Sequence, residues 1–218
     1  MLKKSTLVIF WASTIFLALC LVYLSASYFS FDTNFHFLKA KQDLLPNKIW
    51  LSNFYLHLAG GIVAVLSGLL LFFDKLIPFR SVLHKVLGRF YVIAVLLISG
   101  PTGFYLAFFA EGGALASIGF LLMSSLWMGI TFIALNKILT GDIEGHNKWM
   151  IRSFCFTLSG VTLRIMTPLG ISIFNFDYDT NFILSAFIPW MFNMAIAEGI
   201  LIYIKNNNKK QTASTVVI

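Results

Sequence analysis

Residues 51–73 read LSNFYLHLAGGIVAVLSGLLLFF and contain no Asp, Glu, Lys or Arg. As an α-helix the run would be about 35 Å long, enough for the hydrocarbon core of a bilayer, which takes about 20 apolar residues. Five further stretches share its character, at 6–28, 86–109, 116–139, 153–173 and 182–204. The connections at 74–85, 110–115, 140–152 and 174–181 leave no room for a folded domain outside the membrane. Only 29–50, with Pro46 and three lysines, is long enough for an interfacial helix or a structured loop. The expected fold is an all-α integral membrane helical bundle of six transmembrane helices. It divides into an N-terminal transmembrane anchor with its outer loop (1–50), a membrane-embedded helical core (51–205) and a loose polar tail (206–218).

Composition points the same way. Of the 218 residues, 58% are hydrophobic and 11% charged, against roughly 25% charge in soluble domains; the mean hydropathy is +0.84. The 23 Phe fit lipid contact better than an oversized core. A net charge of +7 does not make a nucleic-acid binder here, because the Lys and Arg lie in short groups between apolar runs rather than in a patch.

Those short groups set topology. With the N-terminus inside, the inner side holds Lys3, Lys4, Lys75, Arg80, Lys85, Arg89, Lys137, Lys148, Arg152, Lys205, Lys209 and Lys210, and the outer side only Lys39, Lys41 and Lys48. Both termini are therefore expected inside. Lys3 and Lys4 before an apolar run, with Ser25-Ala26-Ser27 after it, also resemble a signal peptide. The run exceeds the usual apolar core of about 7–15 residues, so a retained helix is the reading. Cys20 and Cys155 both sit in apolar runs and offer no disulfide framework.

Function is sought where an ionisable group lies at membrane depth, since placing one there costs several kcal/mol by most estimates. His57, Arg164 and Glu198 lie within spans, His84 and His146 at the inner ends of the third and fifth, and Asn193 and Asn136 are milder cases. Gly61, Ala64 and Gly68 follow His57 at helical spacing, which gives one face a histidine above a groove of small residues. Two uses compete: Gly60, Ala64 and Gly68 as a seam for close helix packing with His57 hydrogen-bonded across it, or room for a flat cofactor whose metal His57 holds.

In the fifth span His146, Met150, Ser153, Thr157, Gly160 and Arg164 form one stripe if the helix begins near the histidine. Arg164 there must meet an anion, a water-filled cavity or backbone carbonyls. Its depth is comparable to that of His57, so the two are expected to meet. At the other side His84, His146, Glu198, Arg89 and Arg152 are candidates for one inner polar cluster. Lys85, Arg89, Trp149 and Arg152 also suit anchoring at the inner leaflet. No HxxxH or CxxC spacing favours zinc, and Asp142 and Glu144, in a glycine-bounded loop, read as solvated. Gly100-Pro101 is expected to kink the third span, with Ser99 and Thr102 available for the freed backbone groups.

The runs LHLAGGIVAVLSG (56–68), LHKVLGRFY (83–91) and GDIEGHNKWMIRS (141–153), continuing to TLRIMTPL (162–169), resemble a family of predicted bacterial membrane proteins classed as a domain of unknown function. The resemblance covers about 54–170 and implies a polytopic fold in the bacterial inner (plasma) membrane, without an activity. A looser resemblance is to helical b-type cytochromes and ferric-reductase-like transmembrane proteins, whose two-haem members use facing histidine pairs. It implies at most one such pair here, His84 and His146, because His57 has no outer partner except His36. The expectation from it is electron transfer: haem b held by His84 and His146, Arg164 compensating an acidic group, and His57 placing a second cofactor, a quinone or another redox partner. A transporter or solute binder with His57, Arg164 and Glu198 around a polar cavity is the rival class. A third treats every polar group as interhelical glue.

Overall fold

The computed structural model describes residues 4–72 and 80–216; within them the chain forms eight α-helices and no strand. These are α1 (Lys4–Ser27), α2 (Lys48–Phe72), α3 (Arg80–Ile93), α4 (Gly100–Ala107), α5 (Gly113–Leu139), α6 (Ile143–Thr157), α7 (Ser159–Ser172) and α8 (Tyr178–Val216). They supply six helical stretches long and apolar enough to cross a membrane: Ala12–Ser30, Lys48–Leu71, Val82–Ala107, Gly113–Leu139, Ile143–Ser172 and Tyr178–Asn207. Lys3, Lys75 and most of the connection after α2, used above for topology, lie outside the described residues.

Side-chain sorting follows from the solvent. Large apolar residues face outward, with Leu97 72% and Phe132 60% exposed, because lipid costs them nothing. Inside, small and polar residues let helices approach: Ala64, Ala94, Ser99, Thr131, Ser153 and Ala186 are all buried. The central core joins Ala64, Val65, Tyr91, Val95, Trp127 and Phe156. Helix α2 packs on α3 and α4, α5 on α6 and α8, α7 on α8, and α1 on α2 and α7.

The third and fifth spans depart from regular helix, each for a local reason. Between α3 and α4 the chain makes a π-helical segment, Ala94–Ser99, in which the Gly100 amide donates to the Val95 carbonyl five residues back. Pro101, which has no amide hydrogen, follows directly, and the Thr102 hydroxyl donates to the carbonyls of Ile98 (2.7 Å) and Ser99 (3.2 Å). The kink expected at Gly100-Pro101 is there, spread over one wide turn. The fifth span is not the single helix the histidine-to-arginine stripe assumed. It breaks at Leu158, where the Val161 amide donates to the Leu158 carbonyl (2.9 Å), a tighter turn between α6 and α7. The stripe survives from Thr157 through Gly160 to Arg164, while His146 turns to α5.

Two further differences concern the ends. Helix α8 continues to Val216 and takes in most of the stretch expected to be a loose tail, with no Pro or Gly after Gly199 to stop it. The first loop is structured, as its length allowed: a 3-10 helix at His36–Leu44 brings in Lys41, which is 7% exposed. The Lys41 ammonium donates to the Phe109 carbonyl (2.7 Å) and pairs with Glu111. Beneath it Tyr28, Leu38, Trp50, Phe54 and Leu58 form a second apolar cluster.

Candidate functional site

His57 is fixed by close approach of two backbones. A Cβ on Gly60 would stand 2.9 Å from the Ser99 backbone nitrogen, and one on Gly103 would stand 2.8 Å from the His57 ring. Glycine at both places lets α2 lie against the π-helical segment and α4. The His57 Nδ1–H then donates to the Ser99 carbonyl (2.9 Å), while the Ser99 hydroxyl donates to the His57 carbonyl (3.0 Å). A carbonyl only accepts, so the bond puts the ring proton on Nδ1 and leaves Nε2 with a lone pair in the neutral ring. No described residue bonds Nε2. The small-residue seam holds too: Ala64 is fully buried, and a side chain on Gly68 would run into the Phe154 ring.

Arg164 reaches the same place from α7. Its guanidinium donates to the Ser25 hydroxyl at the limiting distance of 3.5 Å, and no carboxylate among the described residues lies within ion-pair reach. His57 and Arg164 both line a cavity of about 610 Å³, a volume of the size small organic ligands occupy. Its wall is largely aromatic and aliphatic, with Phe54, Leu58, Phe120, Leu163 and Phe182 among it. Trp50, 1% exposed, also lines it, and its indole N–H has no acceptor among the described residues. The Lys41–Glu111 pair closes the first-loop side, Glu111 itself standing in the wall. A smaller recess of about 110 Å³ shares His57, Met123 and Arg164 with the cavity and extends to Trp127 and Thr157.

Beyond that recess lies a polar cluster that the sequence reading did not assemble. The Tyr91 hydroxyl bonds those of Ser153 and Thr157, each at 2.7 Å. Trp127 Nε1 donates to the Thr157 hydroxyl (3.0 Å), and the Thr131 hydroxyl bonds that of Ser153 (2.7 Å). Every member is buried, so the network joins α3, α5 and α6 with its polar atoms satisfied. The usable signal was pairs of hydroxyl or indole groups four residues apart in apolar runs, Trp127 with Thr131 and Ser153 with Thr157. Ser25, read above within a possible cleavage site, is 5% exposed beside Arg164. Ser99 was noted only for the kink, and Trp50 not at all.

The remaining candidates sort differently. Arg152 and Glu198 make a two-pronged pair, Nε to Oε1 at 2.6 Å and the second prong at 3.1 Å, with the guanidinium 4.7 Å from the Trp149 ring centroid. That pair ties α6 to α8, and Glu198 does not line the cavity. His146 donates from Nδ1 to the Ala134 carbonyl (2.8 Å) on α5. His84 and Arg89 are exposed on α3. Neither His84 nor His146 lines the cavity, and of the candidates for an inner cluster Arg152 and Glu198 pair with each other. His36 has no described side chain to set against His57. Among the described residues no group of three His, Cys, Asp or Glu comes together for a metal. Asn193 donates to the Thr162 hydroxyl (2.7 Å), binding α8 to α7.

Outside the spans, Asp142 caps α6 by accepting from the Gly145 amide (2.8 Å). That bond, reinforced by Lys137, holds its carboxyl below the usual carboxylate range. It is solvated and structural, as its glycine-bounded loop suggested.

A model of the predicted membrane protein family DUF2306 matches residues 54–201, more than half of the chain. The chain belongs to DUF2306. No curated protein and no solved structure matches it. The DUF2306 match extends past 170, where the motif resemblance stopped, into α8. It contains His57, Ser99 and Arg164, and it leaves α1 and the first loop outside. The family has no described function, so it assigns no role to these residues, and it lends nothing to the looser likeness to cytochromes.

Proposed function

We propose that this membrane protein binds a small amphipathic molecule inside the bilayer, its polar head between Arg164 and His57 and its apolar body along the aromatic wall. The observation that carries the reading is Arg164: a guanidinium in the membrane, with no carboxylate partner among the described residues, opening on a cavity of about 610 Å³. A cation there is expensive unless something neutralises it, and the cavity gives that something a place. Support for a binding or transport role over pure helix glue comes from the contrast with Arg152, which has its carboxylate and no cavity. With both termini inside a bacterial plasma membrane, as the Lys and Arg distribution suggests, the site lies in the outer half.

Native mass spectrometry of the full chain, released gently from its host membrane, tests this. A small molecule that co-purifies with wild type, is lost in Arg164→Ala and is kept in Arg152→Ala is the expected result. An empty wild-type protein under every expression condition would sink the reading.

Electron transfer through a haem b held by His84 and His146, with a quinone or other redox partner, takes no support from this geometry, since His84 is exposed, His146 is turned to the Ala134 carbonyl and neither lines the cavity.

A further inference from the structure

Resting on the binding reading above, the geometry points to the class of ligand and to how it is held: we propose that the cavity takes an amphipathic monocarboxylate, and that its arrival brings one proton onto His57 Nε2.

The argument starts from what each group can offer. Arg164 presents donors only; among the described residues its hydrogen-bond partner is Ser25 at 3.5 Å, and the Tyr28 phenol is near enough to interact electrostatically. His57 has spent its Nδ1 proton on the Ser99 carbonyl, so in the neutral ring the nitrogen left over is an acceptor. An anion seated against Arg164 next to that nitrogen would meet a lone pair. If Nε2 takes up a proton from solvent, the imidazolium keeps its bond to Ser99 and gains a second donor aimed at the anion. Empty, the site sets His57 near an unpaired guanidinium, and a second positive charge there is opposed. Filled by an anion, the same charge is favoured. Binding and protonation are therefore linked, and no bond breaks beyond the transfer of one proton to Nε2 from hydronium or buffer acid in the solvent, which is left as water or the buffer base.

The other ionisable groups around the cavity do not upset this assignment. Tyr28 comes from the end of the first span, and Glu111 precedes α5 with its carboxylate taken by Lys41 of the first loop. The walls from the third span, α5, α6 and α8 supply hydroxyl, thioether, indole and apolar groups. One guanidinium matches one acid group, and a planar carboxylate suits its fork. A two-chain phospholipid would bring far more apolar bulk than a cavity of small-ligand size holds. The aromatic lining favours a ring or a short chain as the body, and the Trp50 N–H, without an acceptor among the described residues, is a further donor in the wall.

The test uses the full chain in nanodiscs of zwitterionic lipid, titrated calorimetrically with 4-phenylbutyrate and with its neutral amide. Two buffers of different ionisation enthalpy give the proton count. Wild type should bind the carboxylate at least about tenfold more tightly than the amide and take up close to one proton per ligand. Its Kd should weaken by up to about tenfold per unit as the pH is raised from 6 to 8. Arg164→Ala should abolish the preference for the carboxylate. His57→Asn, whose amide still reaches toward Ser99, should bind without proton uptake and with no slope against pH. The wild-type proton count decides the coupling even if that variant fails to fold.

Equal binding of amide and carboxylate overturns the anion class while leaving a binding cavity in place. Carboxylate binding with no proton taken up overturns the role of His57. Binding of neither probe overturns the monocarboxylate proposal, and the broader reading then stands or falls on the co-purified molecule.

Discussion

Arg152 and Arg164 lie in the same span, and they have opposite surroundings. Arg152 is gripped by both oxygens of Glu198 and rests on Trp149; Arg164 has a hydroxyl at 3.5 Å and a cavity. The first arrangement holds α6 to α8 and neutralises the guanidinium with a carboxylate of the protein's own. The second leaves a charge with no carboxylate to answer it among the described residues. A polar group in a bilayer says little by its presence, since most such groups are satisfied by neighbouring helices. The informative quantity is the donor or acceptor left over after the helices have packed; among the described residues Arg164, His57 Nε2 and Trp50 Nε1 lie around the cavity, and the Ser159 hydroxyl is left over away from it.

The contrast is broken most directly by exchanging the two arginines' fates. Arg164→Ala should reduce ligand affinity by about 10–100-fold, the worth of a charge-assisted hydrogen bond, and leave thermal stability unchanged or raised, because an unpaired cation leaves the membrane interior. Arg152→Ala should do the reverse: ligand affinity unchanged, and a loss of about 1 kcal/mol, small because the Glu198 partner is 47% exposed. Thermal unfolding in nanodiscs beside the binding titration reads both. If Arg164→Ala destabilises the fold as Arg152→Ala does, Arg164 is glue and the distinction between the two ends collapses.

The second prediction sharpens the same contrast within the buried polar set. Tyr91→Phe deletes the hydroxyl that joins Ser153 to Thr157 and leaves the space filled. It should cost about 1–2 kcal/mol, through partners left short of a bond, and alter affinity little, because the Tyr91 hydroxyl lies behind Thr157 rather than in the cavity wall. A large loss of affinity with stability intact would move the network from scaffold to site.

These cases also mark what the sequence made legible. Six apolar runs are a solvent statement, and the spans follow from length alone, so the bundle was readable within a few residues at most ends. That His57 and Arg164 meet was readable too, because rise per residue fixes depth. Their surroundings were not. The π-helical turn that aims the Ser99 carbonyl at His57 depends on the close approach of Gly60 to Ser99 and of Gly103 to the His57 ring, and no one-dimensional pattern encodes those contacts. Glu198 was expected with Arg152 in an inner cluster and, in the rival reading, around the cavity; its carboxylate pairs with Arg152 of α6. The break at Leu158, with Gly160 inside its tight turn, turned a stripe running from His146 to Arg164 into two segments with different neighbours. The histidine motifs around His84 and His146 drew attention by residue type, whereas one of those rings is exposed and the other is held by a carbonyl.

The smallest expected effect isolates the end of the molecule far from the cavity. Asp142 caps α6 through the Gly145 amide, and that bond, with Lys137 beside it, depresses its carboxyl below the usual range. The sign follows: the cap contributes fully above the unfolded carboxylate value and is lost as pH falls through the lowered one. Protection of the Gly145 amide, measured as a hydrogen-exchange protection factor, should therefore fall on acidification below the ordinary carboxylate range. Asn caps as well as Asp without titrating, so Asp142→Asn should flatten that dependence and leave the protection at neutral pH nearly unchanged. Neither the variant nor the pH step should alter the carboxylate preference attributed to Arg164, because α6 is interrupted at Leu158 and the cap acts on the segment before the break. A change in ligand affinity on Asp142→Asn would mean that α6 and α7 move as one helix through that turn, and the two arginines would then have to be treated as ends of a single lever.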